Sequence, residues 1–466
     1  MGFQIKYILE NISFTVAANI VSTAVSAITN LIAPKLLGVE AYGYWQLYVL
    51  YVGYVGLAEL GWNEGIYLKL GGKKLSELKD EYLDVQFKAF VVFQSIISFV
   101  LVLFFYLFGS DKNTIFIVVC FMIIPSNIKN YCNYILLATN KIKDYAKITI
   151  LDRFVFLTGL VFCFLMARCS IQGIIFVDCI ARIVSAVYSV VKINPIFYHR
   201  HKLTNYIKKE ILDNIKCGSK LLIANLASTL VIGIVKIVIG SKWEITVFSQ
   251  ISFTISITNM LLLFINAIGV ALFPVLKTVS IKQLVYTYKK LRIYLSMFIM
   301  SCMILYFPLD VILNIWLPEY KISLYYMGMI FPLIIYETRT AMLLNTYYKA
   351  LRLEKKLLFG NLLSLWISFV VSMVSAYILN SINAAVLSIL FVLVFRGILL
   401  EIQLGKYIQI DVLKDNLIEI LISIVFIFST LIIGGIRGFL IYAIVLGIYC
   451  VLNLLKLRGV FGWIKK

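Results

Sequence analysis

The sequence predicts an all-α, polytopic membrane protein with about fourteen transmembrane helices. Hydrophobic residues make up 62% of its 466 positions and charged residues only 14%, whereas soluble globular domains are roughly 45–50% apolar and about 25% charged. Apolar stretches of about 20 residues recur from end to end, and each can cross roughly 30 Å of hydrocarbon as a helix. Transmembrane strands would instead show segments of roughly ten residues with alternating polarity.

The predicted spans must be helices because lipid offers no hydrogen-bond partners to a free backbone. Their bounds are 8–32, 42–68, 85–108, 114–138, 148–168, 173–193, 218–240, 247–273, 293–316, 324–348, 357–380, 383–404, 417–433 and 438–456. The short span 417–433 and the dipeptide Gly434-Gly435 leave a re-entrant hairpin open as an alternative to the last two crossings.

The formal net charge of +20 indicates the orientation of the chain in the membrane. There are 43 Lys and Arg residues against 23 Asp and Glu residues, and most bases lie in alternate loops beginning with the N-terminus. The opposite loops contain only Lys35, Lys112, Arg168, Lys242, Lys321 and Arg437. Cytoplasmic loops are enriched in Lys and Arg, so both termini are predicted to be cytoplasmic. No nucleic-acid partner is expected, because that would require a basic, water-soluble surface.

The spans group into four predicted regions. They are an N-terminal lobe (1–193), a cytoplasmic loop (194–217) that can hold one short surface helix, a C-terminal lobe (218–404) and a region with the last two helices (405–466). No stretch is left for a soluble domain. Repeated halves with a substrate path between them are a common plan of membrane transporters.

A weak internal repeat favours this division. Pro125 and Lys129 in span 4 precede the exit ILLATNKIKDYAK, and Pro332 and Arg339 in span 10 precede the exit NTYYKALRLEKK. A second pair of similar stretches, one after span 1 and one after span 7, is separated by a similar number of residues along the chain. The alternative is that helix exits favour Lys and small polar residues everywhere.

Polar side chains share one helix face in several spans, because they recur at steps of three, four and seven residues. The predicted cavity-lining residues are Asn19 and Asn30 in span 1, Tyr48 and Tyr51 in span 2, Asn259 and Asn266 in span 8, and Ser364 and Ser368 in span 11. Close packing of helices through small residues is the alternative. The Asn residues favour a hydrated cavity, because an unpaired amide in a dry interface is costly.

Ionisable residues within spans are expensive and usually functional or paired. Lys129, Arg339 and Arg396 lie in mid-span without an acid four residues away on the same helix, and we expect them to bind an anionic group. Glu59 has no base on its own helix, and it is predicted, with Glu337, to serve ion coupling. A Glu59–Lys129 bridge between helices is the alternative.

Other charges have simpler interpretations. Asp178 and Arg182 have the spacing of an ion pair within one helix. Asp152, Arg153 and Glu419 lie near predicted span ends, where their side chains can extend towards the membrane surface.

Signals of an enzyme are weak. His199 and His201 are accompanied only by the isolated Cys217, so no metal site is expected, and no nucleotide-binding P-loop is present. The cysteines fall mostly inside spans and form no disulfide framework. We therefore predict no cofactor, no metal and no catalytic residue.

The opening of the chain resembles the bacterial polysaccharide flippases, the Wzx-type branch of the multidrug/oligosaccharidyl-lipid/polysaccharide exporter superfamily. The residues that carry the resemblance are AANIVSTAVSAITNLIAPKLLGVEAYGYWQLYVLYVGYVGLAELG, with the family's Leu-Gly-x-x-x-Tyr-Gly turn at residues 37–43. The stretches GSKLLIANLAS, ILNIWLPEY and ALRLEK are also similar. Pro318 departs from the family, which often has Gly at this position.

The resemblance implies two six-helix lobes around a central cavity, with two C-terminal helices outside them. It implies a transporter of the bacterial cytoplasmic membrane, not an enzyme, working by alternating access. The implied cargo is an oligosaccharide on undecaprenyl pyrophosphate, destined for O-antigen, capsule or a similar polysaccharide, with a polysaccharide polymerase as a further partner. Lys129, Arg339 and Arg396 fit the role of pyrophosphate ligands by their depth.

Two other functions remain open. An ion-coupled exporter of drugs or metabolites, from the multidrug branch, would share the fold and use acids such as Glu59 for a cationic cargo. A membrane polysaccharide polymerase or glycosyltransferase fits less well, because the outer loops are too short to carry its site.

Overall fold

The computed structural model describes residues 2–73, 78, 82–109, 112–166, 170–197, 204–269 and 281–462. Helices are the regular elements of this part of the chain, which confirms the predicted all-α class. Contacts between Cα atoms group the chain into two compact units, Met1–Leu226 and Ala227–Lys466.

The first unit consists of long helices with one short one between them. Its helices are α1 (Gly2–Val52), α2 (Trp62–Leu70), α3 (Leu83–Phe108), α4 (Asn113–Ala138), α5 (Ile142–Leu165), α6 (Ile171–Phe197) and the beginning of α7 (Asn205–Lys242). A 3-10 segment, Val55–Glu59, lies between α1 and α2. Residues 205–217 of the predicted cytoplasmic loop therefore belong to α7.

The second unit contains shorter and more interrupted helices. They are α8 (Ile245–Gly269), α9 (Ile281–Cys302), α10 (Tyr306–Trp316), α11 (Lys321–Ile330), α12 (Leu333–Thr338), α13 (Asn345–Ala350), α14 (Glu354–Met373), α15 (Ile382–Ile408), α16 (Leu413–Phe428) and α17 (Gly435–Gly462). Three π-helical segments, Arg339–Leu344, Val374–Ile378 and Ser429–Ile433, prolong α12, α14 and α16. Such segments are rare and frequently occur at functional sites.

The described residues contain eleven helices long and apolar enough to cross a membrane, or up to twelve, instead of the predicted fourteen. Predicted spans 1 and 2 fall largely within one helical stretch, Ile20–Glu59, in which two helices meet at a kink where Gly38 takes a φ of 73°. Span 10 is a pair of helical pieces bent by 54°. Span 8 extends into residues outside the described part of the chain, which accounts for the rest of the difference.

The outward surface of the helices is apolar, as a protein in lipid requires. Phe99 is 68% exposed, Phe154 61% and Ile315 78%. Side chains of this size would form large aggregation-prone patches in water. Together with the length of the apolar helices, they identify a multi-pass membrane protein.

A break in predicted span 2 positions several polar residues inside the first unit. The chain leaves the helical conformation at Leu60 (φ 54°) and Gly61 (φ 88°), between the 3-10 segment and α2. The Asn127 amide donates to the carbonyl of Val55 (3.0 Å), and Gln94 donates to that of Ala58 (3.2 Å). These amides satisfy backbone groups that a continuous helix would satisfy itself, so the break is built into the fold.

On the C-terminal side of this break, the backbones of α2 and α7 are in close contact. A Cβ atom on Gly61 would overlap the amide nitrogen of Ser219, and one on Gly65 would overlap the carbonyl oxygen of Asn214. A Cβ on Gly218 would collide with the Gly61 carbonyl. Small residues spaced in this way allow two membrane helices to approach with their backbones in contact.

Replacing Gly65 should therefore destabilise the first unit. We expect Gly65→Ala to lower the free energy of unfolding by about 1–3 kcal/mol, because its methyl group must push α2 and α7 apart. The measurement is thermal unfolding of the detergent-purified protein. Gly447→Ala is the matched control, because a Cβ at Gly447 meets no atom within 4 Å. Equal melting temperatures for the two variants would contradict the close approach.

Candidate functional site

A cluster with an excess of positive charge lies within the first unit. Lys129 of α4 contacts Asp152 of α5 (Nζ–Oδ1, 3.3 Å), and Arg153 contacts the same carboxylate (Nε–Oδ2, 3.7 Å). Arg182 pairs with Asp178 on α6 (Nε–Oδ2, 2.6 Å), which confirms the predicted ion pair within that helix. We call these five residues the basic cluster. Its three bases face two acids, so one positive charge is uncompensated within it.

Hydroxyl groups hold the two acids of the basic cluster in place. Tyr48 donates to Asp178 Oδ2 (2.7 Å), and Ser185 donates to Asp152 Oδ1 (3.0 Å). Both carboxylates are thereby fixed as acceptors, and each orients its base. The side chains of Lys129 and Arg182 remain 14% and 19% exposed, so the cluster is not completely buried.

The second unit contains a cluster in which bases and acids are equal in number and almost fully buried. Arg339 contacts Glu401 (Nη1–Oε2, 3.1 Å) and also Glu419, while Arg292 contacts Glu401 (Nε–Oε1, 2.6 Å) and Glu419 (Nη1–Oε1, 3.3 Å). We call these four residues the balanced cluster. They come from α9, the π segment after α12, α15 and α16, so the cluster joins four elements.

Neutral donors complete the balanced cluster. Tyr288 donates to Glu401 (2.7 Å), Asn416 donates to the same carboxylate (2.8 Å) and Ser296 donates to Glu419 (2.7 Å). The Nε and Nη2 atoms of Arg339 are buried without a hydrogen-bond partner. Gly397 leaves room for this guanidinium, because a Cβ there would lie 2.8 Å from Arg339 Nη2.

The third predicted base, Arg396, is also paired. It donates to Glu337 (Nη2–Oε1, 2.6 Å) and to the carbonyl of Ser228 (3.2 Å), and only 1% of its side chain is exposed. Glu337, predicted to serve ion coupling, therefore neutralises Arg396 in this conformation.

The alternative of a Glu59–Lys129 bridge is not realised among the described residues, where Lys129 pairs with Asp152 instead. Glu59 accepts a hydrogen bond from Asn63, and Glu64 accepts one from Tyr134 (3.2 Å). Both acids are only 2% exposed. Among the ion pairs of the described residues, none involves Glu59 or Glu64.

The predicted cavity-lining residues have varied surroundings. Tyr51 packs edge-on against Phe116, with ring centroids 4.8 Å apart, and Asn30 is half-buried. Asn259 is exposed, whereas the side chains of Asn19 and Asn266 lie outside the described residues.

Two of the predicted cavity-lining residues, Ser364 and Ser368, are fully buried. They donate to the carbonyls of Gly360 (2.7 Å) and Val231 (2.6 Å). Their surroundings are those of packing within and between helices.

The side chains of Asp152 and Glu419 do not extend outwards as the sequence predicts. These acids are 7% and 0% exposed and pair with bases of other helices. Asp152 lies well inside its helix because α5 begins at Ile142, six residues before the predicted span. The sequence places Glu64 and Glu401 within predicted spans but does not reveal their partners, and it places Arg292 just before a span, because no spacing along the chain relates these residues to one another.

Removal of Arg339 tests the balanced cluster. We expect Arg339→Ala to lower the free energy of unfolding by about 3–5 kcal/mol, because Glu401 and Glu419 then share one base in a buried site. Thermal unfolding of the purified protein measures this, with the exposed Arg437→Ala as control. The double variant Arg339→Ala/Glu419→Ala should recover part of the lost free energy of unfolding. Equal melting temperatures for Arg339→Ala and the control would show that the pairing contributes nothing.

Comparison with known proteins identifies the fold. No family model matches the sequence, and a search of curated proteins gives no match. The structure is similar to that of lipid II flippase MurJ in an inward closed conformation, with a TM-score of 0.64 and 13% identity over 97% of this chain and 100% of that one. It is also similar to an inward-facing multidrug resistance MATE family transporter of the MOP superfamily, with a TM-score of 0.61 and 10% identity over 84% and 94% of the two chains. The chain thus shares the fold of these two proteins.

Proposed function

We propose that this chain is a flippase that moves oligosaccharides linked to undecaprenyl pyrophosphate from the cytoplasmic to the outer leaflet. The MOP-superfamily fold supports a transporter, and the similarity to a lipid II flippase supports a lipid-linked cargo here. The Wzx-like residues of the first span support an oligosaccharide for surface polysaccharide. In this proposal the membrane is the bacterial cytoplasmic membrane, and both termini are cytoplasmic.

The basic cluster is the single observation that carries this proposal. Its three bases lie well inside α4, α5 and α6, at a depth where an unneutralised charge is expensive unless it serves a function. One positive charge lacks an acid, and Arg153 Nε has no hydrogen-bond partner. A pyrophosphate supplies several anionic oxygens, which guanidinium groups bind in pairs. The cluster therefore suits the pyrophosphate of the cargo.

Arg339 and Arg396, the other two proposed pyrophosphate ligands, would contact the cargo later in the transport cycle. In this conformation Arg339 pairs with the carboxylates of Glu401 and Glu419, and Arg396 pairs with that of Glu337. An anionic cargo can recruit them only by replacing these acids. Alternating access offers such an exchange, because it repacks helices around the cargo. We accordingly assign the first contact with pyrophosphate to Lys129 and its neighbours.

The sugar part of the cargo would be bound by neutral groups. Tyr51, Asn30 and Asn259 are the described candidates that keep some exposure. A tyrosine ring offers an apolar face to a sugar, and amides offer both donors and acceptors.

An exporter of cationic drugs or metabolites is the second candidate. The buried acids Glu59 and Glu64, which have no base partner among the described residues, favour a cationic cargo. Protection of cells from cationic dyes, with no change in surface polysaccharide, would select this function. A polymerase or glycosyltransferase would instead be detected by activity of the purified protein on lipid-linked sugars.

Loss of the Lys129 charge tests the flippase. We expect Lys129→Gln to reduce surface polysaccharide per molecule of flippase about tenfold or more, since a hydrogen bond to a charged group contributes roughly 1.5–3 kcal/mol. Lipid-linked oligosaccharide should accumulate in the inner leaflet. The matched control is the exposed Lys216→Gln. Normal polysaccharide output by Lys129→Gln, at the same amount of protein in the membrane, would refute the role of the cluster.

A further inference from the structure

A pocket of about 560 Å³ lies in the second unit, between α10, the first turns of α11 and the turn that joins the π segment Ser429–Ile433 to α17. Its volume is within the range of roughly 300–1,000 Å³ that is usual for ligand sites. No residue of the basic cluster or the balanced cluster lines it, so it is separate from both. We call it the turn pocket, and its lining includes Phe307, Asp310, Lys321, Leu324, Gly435 and Phe439.

The turn pocket exists because the chain reverses tightly at Gly434 and Gly435. These residues take φ values of 66° and 53°, in the left-handed region that glycine adopts most readily. A Cβ on Gly435 would meet no atom within 4 Å, so the turn borders open space. The rings of Phe307 and Phe439 meet edge-on with their centroids 5.6 Å apart, which joins α10 to α17 beside that space. The fold therefore leaves a gap between helices that are otherwise packed together.

Large apolar side chains at the edge of the turn pocket are exposed. Val311 and Ile436 line the pocket and are 59% and 73% exposed, and Ile315, one turn after Val311, is 78% exposed. Exposed apolar side chains of a membrane protein face the hydrocarbon of the bilayer. The pocket therefore opens towards lipid. In the proposed orientation this is the outer leaflet, because Lys321 and Arg437 belong to predicted outer loops.

Two opposite charges line the turn pocket without pairing. Asn314 donates to the Asp310 carboxylate (Nδ2–Oδ1, 3.3 Å) and to the Asp310 carbonyl (2.9 Å), which fixes the acid on the wall of the pocket. Lys321 begins α11 and is exposed. The ion pairs of the described residues include neither Asp310 nor Lys321. A carboxylate among apolar side chains is costly without a positive partner, so the pocket favours a ligand that supplies one.

The two charges together select the headgroup of that ligand. An anionic lipid would be attracted by Lys321 but repelled by Asp310, and a polyprenyl pyrophosphate carries still more negative charge. A purely cationic ligand would be repelled by Lys321. A zwitterionic headgroup satisfies both side chains, with its ammonium on Asp310 and its phosphate on Lys321. A primary ammonium also donates hydrogen bonds to the carboxylate, whereas a trimethylated one has no N–H to donate.

We propose that the turn pocket binds one zwitterionic phospholipid with a primary ammonium in its headgroup. The ammonium contacts Asp310 and the phosphate contacts Lys321. An acyl chain packs against Phe307, Leu324 and Phe439. The bound lipid connects α10 and α11 to the turn before α17, and it thereby supports the last two helices of the chain. Its place in the outer leaflet rests on the proposed orientation, whereas its binding does not.

Lipid binding can be measured in the delipidated, detergent-purified protein by native mass spectrometry and by the melting temperature. Phosphatidylethanolamine, phosphatidylcholine and phosphatidylglycerol with identical acyl chains are titrated in turn. We expect saturable binding of one phosphatidylethanolamine with a rise in melting temperature. The affinity for the other two lipids should be about tenfold lower or less, because neither can donate a hydrogen bond from an ammonium to Asp310. Equal affinities for the three lipids would indicate annular lipid only and would overturn the proposal.

Three variants locate the bound lipid. Asp310→Asn should remove the preference for phosphatidylethanolamine over phosphatidylglycerol, and Lys321→Gln, at an exposed position, should weaken the binding of both. The matched control is Glu319→Gln, at an exposed acid near Lys321 that does not line the pocket, and it should keep the wild-type preference.

Two outcomes would contradict the proposed occupant. One is wild-type binding by both Asp310→Asn and Lys321→Gln, and the other is displacement of the bound phospholipid by undecaprenyl phosphate. The assay contains no cargo, and Lys129→Gln should bind phosphatidylethanolamine as the wild type does. A failure of the flippase proposal therefore leaves this result unchanged, and the two proposals are tested separately.

Discussion

Burial of charge in a membrane protein is the constraint on which this structure depends. An ion inside a low-dielectric interior is costly unless an opposite charge and further hydrogen bonds accompany it. In the balanced cluster, Arg292 and Arg339 meet Glu401 and Glu419, and Tyr288, Asn416 and Ser296 supply the remaining hydrogen bonds. The cluster therefore binds α16, the helix that follows α15, to the rest of its unit.

The same constraint identifies the sites that do something other than hold the fold. The basic cluster of the first unit keeps one positive charge in excess, and the buried acids Glu59 and Glu64 have no base partner among the described residues. Neither is required by the packing of apolar helices. Stability alone would favour their removal, so their presence argues for ligands of opposite charge. In the proposed flippase, the excess of positive charge in the basic cluster suits an anionic cargo.

The sequence predicts the class of the fold well, because repeated apolar stretches of membrane length are characteristic of spanning helices. It also predicts the Asp178–Arg182 pair, whose spacing lies on one helix. It does not predict that Lys129 meets Asp152 or that Arg339 meets Glu419, because these contacts depend on how helices rotate against one another. Nor does it predict the break in span 2. Hydropathy does not distinguish a continuous helix from a broken one whose free carbonyls accept hydrogen bonds from side chains.

Lys129 and Arg339, which the predicted internal repeat pairs, have different surroundings in the structure. Each base follows a proline in its span and precedes a similar basic exit. Lys129 has one acid partner, shared with Arg153, and remains partly exposed. Arg339 has two acids, both fully buried, and its guanidinium depends on the absence of a side chain at Gly397. Arg339 belongs to a cluster in which acids and bases are equal in number, whereas the bases around Lys129 outnumber the acids, so one positive charge there is available to a ligand. In the proposed flippase, the number of acids available to each base, more than the depth of the base in the membrane, therefore decides whether it stabilises the protein or is available to the cargo.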